Sequence, residues 1–289
     1  MNKFELTSFA TADELARAVA GKWLDEIETA QRAGKLHCVA LSGGRIARSL
    51  FTSVVNLVWE GRRVGDPNFR DGVPPSLPSN VHFFWADERC VPPDDPESNF
   101  KMADELLFKP LKVPPNQIHR LRGEDAPEAA VKMANEGIQR VVPISFPSPQ
   151  RREGRGEEVD FSNPLTPTLS PLRRGEGENF CPALDLVFLG MGEDGHVASL
   201  FPDSLAEVFR FTTPFLVVEN SPKPPPRRIS LSYAALAAAR QIWVLISGAG
   251  KEKALRESLD SSGKTPLARV IQSRQKTLIF SQIGVDKKI

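Results

Sequence analysis

An α/β fold, a mainly parallel sheet with helices on both faces, is predicted by three features of the sequence. Short apolar runs recur without polar alternation, helical periodicities separate most of them, and glycine-bearing turns stand where several of the runs end. Uniformly apolar strands are buried on both sides, and strands that alternate with helices connect in parallel.

The elements follow in order. Thr11-Ala-Asp-Glu14 is a capping box, and Leu15, Val19, Trp23 and Ile27 repeat at helical spacing, which predicts a helix to about Gly34. Leu36 to Leu41 reads as a buried strand, and Ile46 to Trp59 as a helix that ends near Gly61. Gly65 to Asn80, with four prolines, reads as an extended connection to the strand Val81–Trp85. Helices are expected over Ala126–Val141, Tyr233–Arg240 and Ala249–Leu259, and strands over Leu184–Leu189, Phe215–Val218, Ile242–Ile246 and Thr277–Phe280. Sites in such folds lie at the carboxyl ends of the strands.

One domain accounts for residues 1–289, interrupted at 145–179 by a stretch rich in Pro, Arg, Gly, Glu and Ser. Within that stretch Ser148-Pro-Gln-Arg-Arg-Glu-Gly-Arg-Gly-Glu157 is nearly repeated by Ser170-Pro-Leu-Arg-Arg-Gly-Glu-Gly-Glu178. So little apolar surface cannot offset the entropy of ordering, so a flexible insertion is expected.

Thirty-seven basic and thirty-six acidic side chains leave a net charge of +1, and with it no overall field to attract nucleic acid or an anionic membrane. No apolar run approaches the roughly eighteen residues of a membrane span. The opening Met1-Asn-Lys-Phe-Glu-Leu6 lacks the pattern of a signal peptide, so the cytoplasm is the expected compartment. Cys38, Cys90 and Cys181 are odd in number and without C-x-x-C pairing, which argues against a disulfide framework and a thiolate metal site; they read as buried small hydrophobes.

Chemistry is expected at four strand-end segments. Leu41-Ser42-Gly43-Gly44 allows backbone N–H groups to converge on an anion at a helix start. Trp85-Ala-Asp87-Glu88-Arg89, with Pro96-Glu97-Ser98-Asn99 beyond it, sets a carboxylate beside a guanidinium; Asp87 and Arg89 point the same way if the strand continues. Ser221-Pro-Lys223-Pro-Pro-Pro-Arg227-Arg228 holds cations on a proline-stiffened loop. Leu189-Gly190-Met-Gly192-Glu-Asp194-Gly195-His196 contains G-x-G-x-x-G, the register of a dinucleotide fingerprint, for which Glu219 offers a ribose-binding acid. Asp194 and His196 around the third glycine and Pro202 soon after fit that fingerprint poorly. Of the four histidines, only His196 combines a strand-end glycine turn with an adjacent carboxylate, the setting of a general base; His37, His82 and His119 read as structural.

Those segments occur in one order, and with Val197-Ala-Ser199-Leu-Phe-Pro202 they make the chain resemble the 6-phosphogluconolactonase family along almost its whole length, the insertion excepted. The resemblance implies a Rossmann-like α/β fold of the NagB/RpiA/CoA-transferase kind. It implies hydrolysis of 6-phospho-glucono-lactone to 6-phosphogluconate in the oxidative pentose phosphate pathway, without metal or cofactor, with a phosphorylated sugar lactone as partner; a monomer or weak oligomer is expected. Carried over by motif, His196 is the base, and Asp194 or Asp87 orients the imidazole or the water. Arg89, Lys223 and Arg228 hold the phosphate together with Ser42, Gly43 and Gly44. Where the family continues Ser-Gly-Gly-Ser-Thr-Pro, this chain has Arg45-Ile-Ala47, so Arg45 either adds charge to the phosphate loop or obstructs it. A glucosamine-6-phosphate deaminase-like isomerase and a non-catalytic sugar-phosphate-binding protein are the alternatives; a nicotinamide dehydrogenase ranks behind both.

Overall fold

The computed structural model describes residues 3–65, 76–143, 181–204 and 213–284. The insertion expected at 145–179 and most of the proline-rich connection lie outside the described residues.

Six strands form the central sheet, all paired in parallel. They are β1 (Phe4–Ser8), β2 (His37–Leu41), β3 (Val81–Trp85), β5 (Leu186–Gly190), β8 (Gln241–Ile246) and β9 (Thr277–Ser281), in the order β1-β9-β8-β5-β2-β3. Every residue of β2 is buried, as are all but the first of β8. Both faces of these inner strands are therefore covered, as their uniformly apolar sequences require. The edge strand β1, Phe-Glu-Leu-Thr-Ser, pairs only with β9 and alternates half-buried with exposed residues over its first four positions, a weak signal that the sequence reading passed over.

The first helix, α1 (Ala12–Arg32), forms as its capping box dictates. The Thr11 hydroxyl accepts from the Glu14 amide at 3.1 Å while Glu14 Oε2 accepts from the Thr11 amide at 3.3 Å, a reciprocal cap worth ~1 kcal/mol. Its stripe of Leu15, Val19, Trp23 and Ile27 is buried. Trp23 meets the Phe83 and Phe188 rings edge-on, at 6.3 and 5.0 Å, and donates its indole N–H to His37 Nε2 at 3.1 Å. Burial lowers the His37 pKa and keeps that ring a neutral acceptor. His82 and His119 are likewise structural: their ring nitrogens lie 2.9 Å apart, and His119 stacks on Phe84 with its pKa pushed down to about 4 by burial and by His82.

The second helix, α2 (Arg45–Gly65), starts directly after Gly44 and runs beyond the end expected near Gly61. The remaining α-helices among the described residues are α3 (Asn99–Ala103), which continues as a π-helical turn over Asp104–Phe108, α4 (Pro127–Val141), α5 (Tyr233–Ala238), α6 (Glu252–Leu259) and α7 (Pro266–Gln272). Among the described residues no helix is long and apolar enough to cross a membrane.

Phe215–Val218 does form a strand, β6, but not in the parallel sheet. It pairs antiparallel with β7 (Arg228–Leu231), which in turn pairs with β4 (Asp87–Arg89), making a small second sheet. Asn135 on α4 fixes its start, donating to and accepting from the Phe215 backbone at 3.3 and 2.8 Å. Strands β4 and β7 are three and four residues long and begin or end on charged side chains, too short for a period to show. Cys38 and Cys181 are buried as expected, whereas Cys90 is half-exposed; burial raises the three thiols to about 12, 11 and 11 in the order Cys38, Cys90, Cys181.

Strand β2 continues to β3 on one side and has β5 on the other, which makes the β2–β5 boundary the switch point of the sheet. The Ser42 hydroxyl ties the two strands together there, donating to the Phe188 carbonyl at 2.8 Å. A crevice at the carboxyl ends of the strands opens at this kind of boundary.

Candidate active site

Loops from the ends of β2, β5 and β8, together with β4 and the turn before β7, surround a cleft of about 330 Å³, within the range of small-molecule sites. The β2 loop contributes Ser42, Gly43, Gly44 and Arg45. Gly44 takes a positive φ of 97°, and the first turn of α2 carries no acidic side chain, so nothing there competes with an incoming anion for the helix N-terminus.

From the β5 end comes His196, on a tight turn in which the Gly192 amide donates to the His196 carbonyl at 2.9 Å and the Gly195 amide to the Gly192 carbonyl at 3.1 Å. Glycine at 192 is a packing requirement, since a Cβ there would overlap the imidazole. Gly195 has φ +79°, and a Cβ on it would press against Thr265. No helix begins between Gly195 and Pro202, so the G-x-G-x-x-G register lacks the helix N-terminus on which a pyrophosphate would rest. Glu219, the acid of that alternative, is exposed just past β6.

Asp194 turns back onto the histidine, its Oδ1 2.5 Å from Nδ1 and 3.2 Å from the His196 amide. Burial works to raise the Asp194 pKa, but the hydrogen bonds and charge of His196 outweigh it and the net shift is downward. An ionised carboxylate only accepts, so the ring proton sits on Nδ1 and the lone pair on Nε2. His196 is buried enough to lower its own pKa; Asp194 opposes that without reversing it. A neutral imidazole with Nε2 free to take a proton is the result.

Asp87 is 6% exposed, and its Oδ2 accepts from the Ser199 hydroxyl at 2.7 Å. Of the two carboxylates, Asp194 is the one in contact with His196, while Asp87 lines the cleft from β4. Arg89 lines the same wall, as the strand alternation requires, and donates Nη1 to the Glu97 carbonyl at 2.5 Å.

The cations divide by how they are engaged. Arg228, 4% exposed, donates to the carbonyls of Lys223, Pro224 and Pro225 at 3.0–3.2 Å and lies over the Phe201 ring at 5.7 Å. It ties the proline loop into shape, and it also lines the cleft. Lys223 and Arg45 line the cleft without an ion pair among the described residues. Lys251, on the loop after β8, joins them; its pKa is lowered by burial first, then by Arg45 and Lys223 against Glu193. Sequence reasoning missed Lys251, although Ser247-Gly-Ala-Gly-Lys251 repeats the pattern of a glycine-bearing turn at a strand end. Asn99, from the Glu97-Ser98-Asn99 segment, also lines the cleft.

A parallel sheet with a cationic, histidine-bearing cleft at its switch point defines the class: an α/β protein with a strand-end site. The family model for glucosamine-6-phosphate isomerases and 6-phosphogluconolactonase matches residues 10–280. Similar curated proteins include the 6-phosphogluconolactonase of Mycobacterium tuberculosis, 34% identical over 202 residues that span 69% of this chain and 70% of that one. The 6-phosphogluconolactonase of Treponema pallidum is 29% identical over 260 residues, 88% of this chain and 86% of its own. Among solved structures, 6-phosphogluconolactonase from Trypanosoma cruzi superposes with a TM-score of 0.74 over 100% of this chain and 98% of that one, a likeness of fold at 21% identity. The chain belongs to the glucosamine-6-phosphate isomerase/6-phosphogluconolactonase family.

Proposed function

We propose that the protein hydrolyses 6-phospho-glucono-lactone to 6-phosphogluconate, the step of the oxidative pentose phosphate pathway that opens the lactone, with His196 as general base. The observation that carries this reading is the Asp194–His196 pair: a neutral imidazole, oriented by a carboxylate through Nδ1, faces a cleft rimmed by cations. Nε2 takes a proton from water as the oxygen attacks the lactone carbonyl, and the tetrahedral intermediate then expels the ring oxygen, which receives that proton back. In this reading backbone N–H groups of the strand-end loops stabilise the oxyanion. Membership of a family that also contains isomerases makes glucosamine 6-phosphate the substrate to compare. Ser199-Leu-Phe-Pro202 and Arg89 favour the lactonase, because deaminases typically follow the Asp-Gly-His turn with Phe-Asn-Glu-Pro and have Asp-Glu-Tyr at the second strand end.

A rapid lactonase assay, corrected for spontaneous hydrolysis, tests the proposal. Turnover of the lactone with none of glucosamine 6-phosphate is expected. The reverse would establish a deaminase, and binding of 6-phosphogluconate with turnover of neither would establish a binding protein.

In this reading the phosphate lies on the Ser42–Gly44 loop at the start of α2, within reach of Lys223, Arg89 and Arg228. Lys223→Ala is then expected to raise KM with little change in kcat, because the phosphate is held alike in the ground and transition states. Arg45→Ser is expected to weaken 6-phosphogluconate binding: Arg45 lies close enough to Lys251 to lower its pKa and has no anionic partner among the described residues, so its charge is available to the ligand. Tighter binding in that variant would mark Arg45 as an obstruction.

A further inference from the structure

Between the two residues of β4 that line the cleft sits a carboxylate that points away from it. Glu88 is 2% exposed and makes no ion pair among the described residues. Its Oε1 accepts from the Arg89 amide at 2.7 Å and the Asn99 amide at 2.8 Å; its Oε2 accepts from the Phe100 amide at 2.7 Å and the Ser98 hydroxyl at 3.2 Å. Three of the four partners are backbone N–H groups, which can only donate, so the set favours the ionised carboxylate. Burial opposes that charge strongly enough to bring the pKa up to about 7 in spite of the three backbone hydrogen bonds. A buried carboxyl without a cation is an expensive way to fix a surface turn. What the turn carries explains it.

Asn99 leaves that turn and reaches across the cleft wall. Its Nδ2 donates to the Asp87 carbonyl at 2.9 Å, and its carboxamide fills the space that a side chain on Gly43 would need. The β2 loop and β4 are thus pressed together through one side chain, and that side chain is set by the backbone amides that Glu88 holds. The His196–Asp194 pair stands on a different loop, at the end of β5, and shares no hydrogen bond with this cluster.

We propose that Glu88 is a positioning residue for the phosphate loop: it fastens the 97–100 turn so that Asn99 clasps Gly43, and substrate affinity depends on that clasp. The proposal rests on the reading that the cleft takes a phosphorylated lactone on the Ser42–Gly44 loop. Glu88→Gln keeps the shape but turns an amide N–H₂ toward backbone donors, which releases the turn while every side chain that lines the cleft stays chemically unchanged.

The test measures lactone turnover and 6-phosphogluconate binding for Glu88→Gln, Asn99→Ala and the double variant. Glu88→Gln is expected to raise KM and Kd about tenfold with kcat within about threefold of the parent, a split that a general loss of folded protein does not produce. Asn99→Ala, which leaves the buried carboxylate in place, is expected to raise KM by a similar factor. The double variant is expected to bind no more weakly than the weaker single one, since both act through a single contact. Parental KM in Asn99→Ala overturns the proposal even where Glu88→Gln does not fold. Additive losses in the double variant, or a fall in kcat at unchanged KM in Glu88→Gln, overturn it too. A parent that fails to turn over the lactone refutes the proposed reaction instead, and the clasp is then read from the Kd of inorganic phosphate in the same variants, where parental affinity in both singles overturns it.

Discussion

His196→Asn is expected to lower kcat by about a hundredfold to ten-thousandfold, the contribution of a positioned general base, while 6-phosphogluconate still binds with near-parental affinity. Asparagine retains polarity and a hydrogen bond toward Asp194 but has no lone pair that takes a proton at neutral pH. The cations and the glycine loop that would hold the phosphate stand on other strands and are untouched. Single-turnover kinetics with a parallel binding measurement separates the two effects. Parental kcat in this variant would remove His196 from the role of base and leave Asp87, the carboxylate that lines the cleft from β4, as the candidate.

Gly192→Ala is expected to cost about a hundredfold in kcat, the scale that a displacement of roughly 1 Å inflicts on a positioned catalytic group. The added methyl would overlap the His196 ring and crowd Asp194 Oδ1, forcing the pair apart or the turn open. Neither residue is itself changed, so the loss would arise from geometry alone. Kinetics beside a thermal melt checks it: a folded protein with depressed kcat and a KM close to the parent's is expected, and parental kcat would mean that the turn has room the structure does not show.

The sequence exposed those parts whose signals are local. The capping box at Thr11, the buried runs of β2, β3, β5 and β8, and the glycine turns at the strand ends each follow from a few neighbouring residues. His196 stood out because its partner Asp194 lies two residues away and the glycines between and before them are needed for the turn. The small sheet did not show itself, because three residues of β4 and four of β7 carry no period and their pairing joins segments more than a hundred residues apart. Phe215–Val218 read correctly as a strand and wrongly as a member of the parallel sheet because its antiparallel partner β7, though near in sequence, is too short to show itself. A strand's partner is a tertiary fact. The choice between Asp194 and Asp87 was open in the sequence, since both flank strand-end motifs; the contact of Asp194 with Nδ1 and that of Asp87 with Ser199 separate them. Arg228 reads as a plain cation in sequence and proves to brace its own loop through three carbonyls. The clasp of Asn99 on Gly43 required knowing which loop faces which.

The measurement that tests the central claim most directly is the acid limb of kcat/KM in the parent and in Asp194→Asn. Burial holds the His196 pKa below its usual 6.5, with Asp194 pulling the other way. A base works only when deprotonated, so activity is present above that pKa and lost as the pH falls through it. The parent limb is expected below 6.5. In Asp194→Asn, where the carboxylate's hydrogen bond and charge are gone, the limb is expected to move to still lower pH while the plateau falls, because the imidazole has lost its orienting partner. The substrate's phosphate ionises alike in both experiments, so the difference between the two profiles reports the histidine. A limb that stays in place in Asp194→Asn, or moves upward, would contradict the assignment of the Asp194–His196 pair as the catalytic base.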